Sequence, residues 1–453
     1  DFREGVALFM KRHKGGTATL DDFTNAISIG SGHPEIASAF RSFVMQPGLP
    51  IVETAINCTG SIKEISFMQS RYYPLGTPAQ DESFQEIPIC YRTDEKSGCH
   101  LLKGKRETVR LGKTCPSYVM PNKDASGYYL WSLDDAALAN LKDHLTDLTP
   151  IESESLAWNL AFWFRSDRIS APDTLDLIKA LAQLDRPRTD LALLDTLSGF
   201  KPYLVLKEDR ETFNVWINAL YGPRARSLGF NPGSGEAVGR SMLRDALTNL
   251  LVGETAERDI RVRLEAVLDK QKLSIRRGLP RGDAIFNHNR AEAILLLGVM
   301  EVGKPFTDSL FELISSGEAG RRDHMILRAL ARTENKGLGR RLMDDFLLSD
   351  TLRSEAVFTL AQGLARNPEQ VEGFWTWVGR SDILANILAR VPESSHYELA
   401  SYGASTCAEG NRDLFEAVIG AHLLAIAGGN AGYAQIPTAL DPSSSTHNAN
   451  GLA

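Results

Sequence analysis

Tyr128-Tyr129-Leu130-Trp131-Ser132-Leu133-Asp134-Asp135-Ala136-Ala137-Leu138 is where the chain changes character. Before it lie short extended runs: Ile51 to Ile56, Ile65 to Arg71, Ile87 to Arg92, Thr108 to Leu111 and Tyr128 to Leu133. Gly, Pro and Asn cluster between them, and period-two alternation shows at Ile65/Phe67. Such runs predict a small β-sandwich. After Ser132 the apolar period is helical and stays so for roughly 290 residues. The start signals follow one another. Ser132 with Asp135 reads as a capping box, Thr149-Pro150-Ile151-Glu152 adds Pro at the first helical position, and Ser170 with Asp173 repeats the box. Asn367-Pro368-Glu369-Gln370 gives the same signal much later. Apolar stripes follow, as in Leu175, Ile178, Leu181 and Leu184, or Leu310, Leu313 and Ile314 after Phe306. Helices of about 12 to 18 residues with short polar connections are the pattern of stacked helix pairs, here with an irregular period.

Working outward, residues 1–48 read as helices. Phe2, Val6, Phe9 and Met10 recur at helical spacing, Thr19 with Asp22 makes a capping box, and Gln46-Pro47-Gly48 breaks the pattern. The expected organisation is multidomain: a helical piece over 1–48, a small β-sandwich over 49–133, a large all-α superhelical (HEAT/solenoid-like) domain over 134–427, and a disordered tail over 428–453. The chain opens Asp1-Phe2-Arg3-Glu4, without an initiator Met or a charged-then-apolar leader, so a missing upstream segment is expected.

Composition narrows the function classes. The chain has 453 residues, 43% hydrophobic, and 50 Lys and Arg against 57 Asp and Glu, a formal charge of −7. It lacks the overall positive field of a nonspecific nucleic-acid binder, so no nucleic-acid partner is expected. The longest apolar run, Ala293 to Met300, is far shorter than the roughly 20 residues of a membrane-spanning helix, so no membrane span is expected. Four of the five cysteines, Cys58, Cys90, Cys99 and Cys115, lie close together, with Cys407 apart. Cys90 and Cys99 flank a polar segment containing Asp94 and Gly98 that could turn back. A hairpin disulfide fits that spacing, and four small buried thiols fit it too. A bridge implies an oxidising compartment, periplasmic or secreted; buried thiols imply the cytoplasm. No Cys-x-x-Cys zinc knuckle occurs.

Catalytic motifs are missing. None of the nine histidines is followed by Glu and no two lie four apart, so the His-Glu-x-x-His zinc site is absent from this sequence. His33-Pro34-Glu35 has no Pro-Cys-x-x-Cys after it and reads as a loop histidine. No Gly-x-Ser-x-Gly elbow occurs. Gly233-Ser234-Gly235 with Gly239 follows no strand and reads as a helix-entry turn after Asn231-Pro232, and Arg281-Gly282-Asp283, beside Arg276 and Arg277, as chance in a basic loop. The pairs Trp158/Trp163 and Trp375/Trp377 read as core before ligand wall. No catalytic or metal-binding residue is expected here, and substrate-binding residues are unassigned.

Ordered stretches carry a family resemblance. Phe40-Arg41-Ser42-Phe43-Val44-Met45-Gln46-Pro47-Gly48-Leu49-Pro50 resembles the close of the catalytic domain in the aminopeptidase N family, an Phe-x-x-Trp-x-x-Gln-x-Gly-x-Pro stretch, with Phe43 where Trp is usual. Ile65-Ser66-Phe67-Met68-Gln69-Ser70-Arg71-Tyr72 resembles that family's Gln-x-Arg-Phe/Tyr strand. Pro121-Asn122 followed by Gly127-Tyr128-Tyr129 is similar to its Asn-x-x-x-Gly-Tyr-Tyr-Arg strand, with Leu130 replacing Arg. Ala225-Arg226-Ser227-Leu228-Gly229-Phe230 through Met242-Leu243-Arg244, and Phe374-Trp375-Thr376-Trp377-Val378, resemble its helical C-terminal domain. The tail departs from the family, which leaves Cys407 without an expected partner. The resemblance implies the noncatalytic C-terminal portion of a zinc aminopeptidase that removes N-terminal residues from peptides. The parent's zinc and its ligands would lie upstream, with none bound by this chain. The partners would be the upstream catalytic domain and the peptides the parent acts on. The helical domain would cap the active site and enclose a peptide chamber. An autonomous helical-repeat interaction scaffold is the alternative, and a pseudoenzyme with a decayed upstream site is a third.

Overall fold

The structure is a computed structural model. It describes residues 2–46, 48–73, 84–205, 208–255, 257–271, 273, 275, 279, 285–286, 290–350, 352–380, 382–390, 392, 396 and 416–420, without the side chains of 199–204, 254, 416 and 419. Pro47, Arg276, Arg277, Arg281-Gly282-Asp283, Cys407 and the tail 428–453 lie outside the described residues. The chain divides into two compact units whose boundary falls between Thr189 and Asp190.

The first unit opens with three helices, α1 (Phe2–His13), α2 (Leu20–Ser31) and α3 (Glu35–Val44). Thr19 and Asp22 form the reciprocal capping box of α2. The α1 and α2 backbones cross closely: a Cβ on Gly30 would lie 2.2 Å from the Gly5 nitrogen, and one on Gly5 2.6 Å from Ile27 Cα. Glycine is required there for space. The expected apolar stripe on α1 is only partly inward. Phe9 packs edge-on against Phe23 at 5.3 Å, but Phe2 and Met10 are exposed, because Gly5 turns inward in their place.

Among the described residues seven strands follow: β1 (Pro50–Asn57), β2 (Glu64–Arg71), β3 (Ile87–Thr93), β4 (Ser97–Leu102), β5 (Arg106–Arg110), β6 (Val119–Met120) and β7 (Leu130–Leu133). One sheet has the order β5-β2-β1-β7 and the other β4-β3-β6. Among the described strand pairs β1 with β7 is parallel, in the register Val52 opposite Trp131, and the others are antiparallel. Phe67, fully buried on β2, meets Tyr91 of β3 at 5.8 Å and stacks on His100 of β4 at 6.5 Å, so the sheets share an apolar interior. Gly98 is paired opposite Tyr91 within β4, and the turn falls instead at Asp94-Glu95-Lys96.

Helices then take over: α4 (Asp135–Asp143), α5 (Pro150–Arg165), α6 (Ala171–Ala182) and α7 (Pro187–Leu204), inside which the unit boundary falls. Thr149 with Glu152 closes the expected box on α5, and Ser170 caps α6 through the Asp173 N–H. Ser132 does not cap α4. It is still strand, opposite Glu53, and the carboxylate of Asp134 accepts from the Ala137 N–H instead. On α6 the inward face is Thr174, Leu177, Ile178 and Leu181, with Leu175 and Leu184 half-buried at its margin.

The free edge of β7 is sealed by α5. The Trp131 N–H donates to Asn159 Oδ1 at 2.9 Å, its carbonyl accepts from the Trp163 indole, and its own indole donates to Ser155 Oγ at 3.2 Å. The two indoles meet edge to face at 5.3 Å, and Trp131 is fully buried. A strand that would otherwise end the sheet with open backbone groups has them satisfied by helix side chains.

The second unit is helical where described: α8 (Arg210–Leu228), α9 (Val238–Asn249), α10 (Arg258–Lys270), α11 (Ala291–Leu297), α12 (Lys304–Ser315), α13 (Asp323–Leu330), α14 (Lys336–Leu342), α15 (Ser354–Arg366), α16 (Val371–Val378) and α17 (Ile383–Ala389). α11 packs on α9 and on α13, and α13 on α15. π-helical turns prolong α9, α11 and α14 over Leu250–Glu254, Gly298–Val302 and Met343–Leu347. The last carbonyls of a helix have no partner within it, and here Arg261 binds Val252 O at 2.9 Å while Arg390 binds Leu347 O at 2.5 Å. Asn367 opens the turn that leads into α16, its Oδ1 accepting from the Glu369 N–H at 3.0 Å and its carbonyl from the Val371 N–H at 2.9 Å. Its carboxamide donates to Ala331 O and Thr333 O at 2.7 and 2.9 Å, and α16 begins only after Gln370. Both units together match the coarse expectation, a small strand region followed by a larger helical one.

Replacing Trp131 by Ala removes the shared indole contact and should cost about 3–5 kcal/mol. Asn159→Ala, which leaves a buried N–H unpaired, should cost about 1–3 kcal/mol. Urea unfolding followed by tryptophan fluorescence measures both, and an unchanged midpoint in either variant contradicts the edge-sealing role.

Candidate functional site

Among the described residues, no three His, Cys, Asp or Glu side chains gather closely enough to hold a metal ion. His33 is exposed and pairs only with its neighbour Glu35 at 3.1 Å. Gly233 to Gly235 lie in an exposed loop ahead of α9, and Gly235, with φ of +72°, supplies a turn. Trp163, Trp375 and Trp377 are buried and Trp158 is 45% exposed, so neither pair presents two exposed indoles. The Trp377 indole is held by Asp344 at 2.8 Å. In the second unit a small crevice lined by Leu197, Phe213, Asn214, Ile217, Leu250 and Thr255 has about 10 Å³ of free room, enough for roughly one water molecule and no ligand cleft.

The structure joins Cys90 to Cys99, which face each other across the β3–β4 ladder. It also joins Cys58 to Cys115, a pairing that spacing alone did not single out. The residues of the family-like stretches hold the first unit in shape. Gln69, buried on β2, accepts from the Gln85 N–H at 3.0 Å and donates to Gln85 O and Gly104 O at 2.9 and 2.8 Å. Arg71 reaches Gln46 Oε1 at 2.8 Å and Gly48 O at 3.1 Å, fixing the chain as it enters β1. Asn122 closes a loop on both backbone groups of Gly127. A Cβ on Gly127 would lie 2.1 Å from the Tyr129 ring, so a side chain there collides with the buried tyrosine. In the second unit Arg244, 3% exposed, ties Leu228 O to the Glu236 carboxylate and so fastens the end of α8 to the start of α9.

The most developed polar cluster sits where the strands of the first unit meet α5. Glu152 is fully buried. Arg92 of β3 grips it through Nε at 3.0 Å and through a terminal nitrogen at 2.5 Å. The same guanidinium donates to the Tyr118 hydroxyl at 2.6 Å and to Asp147 O at 3.1 Å. The Thr149 and Asp124 N–H groups complete the carboxylate's partners, at 2.9 and 3.4 Å. Tyr118 stacks on His144, whose Nδ1 lies 2.8 Å from Asp147. Burial pushes the Glu152 carboxyl up, but Arg92 and the two N–H groups outweigh it and hold the group below its ordinary range. The paired carboxylate in turn holds the Arg92 guanidinium further above its ordinary value. With its oxygens occupied and no exposed surface, Glu152 is a helix cap and ion-pair anchor, not a general base. The sequence revealed it only as the closing residue of a capping box, because Arg92 lies sixty residues away.

Comparison with known proteins now gives the class. The model of the ERAP1-like C-terminal domain family matches residues 118–406, taking in β6, β7 and every helix from α4 to α17. The chain belongs to that family, as the C-terminal half of an aminopeptidase N family protein. Its relatives include "Aminopeptidase 2, mitochondrial" of Saccharomyces cerevisiae, 20% identical over 84% of this chain and 39% of the yeast protein. "Aminopeptidase M1" of Arabidopsis thaliana is 22% identical over 83% of this chain and 44% of its own length. "Aminopeptidase N" of Lactococcus lactis is 26% identical over 57% of this chain and 30% of its own length. The chain therefore spans less than half the length of these relatives.

Glu152→Gln removes one partner of a buried pair and should cost about 3–5 kcal/mol at pH 7. The folded-state value of Glu152 lies below its unfolded value of 4.5, so its contribution is full above pH 4.5 and lost as pH falls through the folded value. Unfolding midpoints of wild type and variant across pH should converge below 4.5, and a constant gap contradicts the assignment.

Proposed function

We propose that this chain is the noncatalytic C-terminal portion of a zinc aminopeptidase, with residues 1–48 closing a catalytic domain, 49–133 a β-sandwich spacer and 134–427 a superhelical cap over the active site and its peptide chamber. The observation that carries this reading is the family match over 118–406 together with relatives named as aminopeptidases across more than four-fifths of the chain. Two structural features support it. Phe2, Met10, Ile29, Val44 and Met45 expose apolar surface on or beside the first three helices, as expected of a fragment of a larger core. The sequential packing of α9, α11, α13 and α15 suits a layered superhelix with a long inner surface.

Among the described residues no cluster of side chains suits a zinc ion. The nine histidines supply no His-Glu-x-x-His, and no residue of this chain is assigned a step in hydrolysis. In this reading the metal and the catalytic groups belong to the upstream domain, and this chain contributes enclosure and position. Peptides meet it as the wall of the chamber. No helix among the described residues is long and apolar enough to cross a membrane.

The isolated chain is expected to bind no stoichiometric zinc and to leave aminoacyl-nitroanilide substrates uncleaved, by metal analysis and a colorimetric assay. Robust zinc-dependent hydrolysis by the chain alone contradicts the proposal. The coding sequence upstream of Asp1 should encode His-Glu-x-x-His followed by a further Glu; a start codon directly before Asp1 would favour an independent helical scaffold instead.

A further inference from the structure

The two disulfides of the first unit have unequal work. Cys90 and Cys99 are opposite residues of a hairpin already laddered from Ile87 with Leu102 to Arg92 with Ser97, so that bridge reinforces pairing that exists without it. Cys58 and Cys115 are 57 residues apart, with β2 to β5 between them. Cys115 lies in the segment that carries the chain from one sheet to the other. That segment leaves the first sheet at Leu111, whose N–H donates to Lys63 O at 2.7 Å, and joins the second at Val119. Among the described residues no strand pairing holds it between these points. Its anchors are the bridge to Cys58 and, two residues on, Asp94, which accepts from the Ser117 N–H at 3.1 Å and hydroxyl at 2.6 Å.

What the segment delivers is Tyr118, whose hydroxyl meets Arg92 at 2.6 Å, and Arg92 holds the buried Glu152 that caps α5. The bridge is thus one short segment away from the ion pair on which the strand-to-helix junction rests.

We propose that the Cys58–Cys115 disulfide is a redox lock on this junction, closed as the chain matures in an oxidising compartment. Closing it costs the two thiols two protons and two electrons, accepted by a protein disulfide or oxidised glutathione that leaves as the dithiol or as two thiols. Cys115 is exposed and Cys58 half-buried, so thiol–disulfide exchange can reach the pair. Two bridges in one small strand region are the pattern of a protein kept outside the reducing cytosol. The inference stands on the geometry of the first unit and does not depend on the proposed peptidase role.

The test uses this chain, purified without reductant. Alkylation before reduction, followed by peptide mapping, should leave Cys58, Cys90, Cys99 and Cys115 unlabelled; stoichiometric labelling of Cys58 and Cys115 overturns the proposal. Hydrogen exchange is then compared among wild type, C58S/C115S and C90S/C99S. The first double variant should speed exchange about tenfold or more in 118–122 and 150–156, whereas C90S/C99S leaves those segments near wild type. Equal effects from both variants, or no change in C58S/C115S, overturn the lock. Should C58S/C115S fail to fold, the same segments are followed in wild type with and without dithiothreitol: faster exchange in both on reduction supports the lock, and unchanged protection with the bridge mapped as open refutes it.

Discussion

The open edge of β7 is the constraint around which the first unit is organised. A four-residue strand pairing in parallel with β1 on one side has N–H and carbonyl groups on the other that must find partners or remain wet. Here α5 provides them, with Asn159 accepting and the Trp163 indole donating. The consequence is that strand and helix cannot be treated as separately folding pieces. Trp131 has its backbone in a sheet and its hydrogen bonds in a helix, so the two share one buried surface. Arg92 and Glu152 repeat the link on the other sheet, from β3 to the first turn of the same helix. α5 is therefore the keystone of the unit, tied to one sheet at its middle and to the other at its start.

This arrangement bears on what kind of protein the chain is. Among the described residues, three of its most buried carboxylates are engaged in internal pairs: Glu152 with Arg92, Glu236 with Arg244, Asp190 with Arg224. Groups so engaged set positions and are poor candidates for proton transfer or ligand capture. The family-like residues follow the same logic, since Gln69, Arg71, Asn122 and Gly127 each fix backbone. What these residues of the aminopeptidase-like stretches contribute here is architecture.

Much of the secondary structure was legible because local chemistry decides it. Thr19, Thr149 and Ser170 cap helices where their spacing to Asp22, Glu152 and Asp173 places them. β1, β2 and β3 follow from apolar, β-branched runs, whereas β5 was signalled only by Thr108 and Val109 between charged residues. β4 was hidden because its Ser-Gly-Cys-His opening resembles a turn and its tolerance of Gly98 comes from the Tyr91 ring opposite. Ser132 misled because a tertiary contact claimed it first, in a strand opposite Glu53, whereas Asn367 both opens the turn into α16 and bridges to Ala331 and Thr333. The polar cluster at α5 and the Cys58–Cys115 bridge were out of reach because each joins residues nearly sixty positions apart, a separation at which spacing carries no geometric information.

The sealing of β7 by α5 is most directly tested at the Trp131 amide itself. Native-state hydrogen exchange of that single N–H should show protection close to that of the central strand β1, vanishing only with unfolding of the whole unit. Rapid exchange at Trp131, with β1 still protected, would show an open sheet edge and contradict the account.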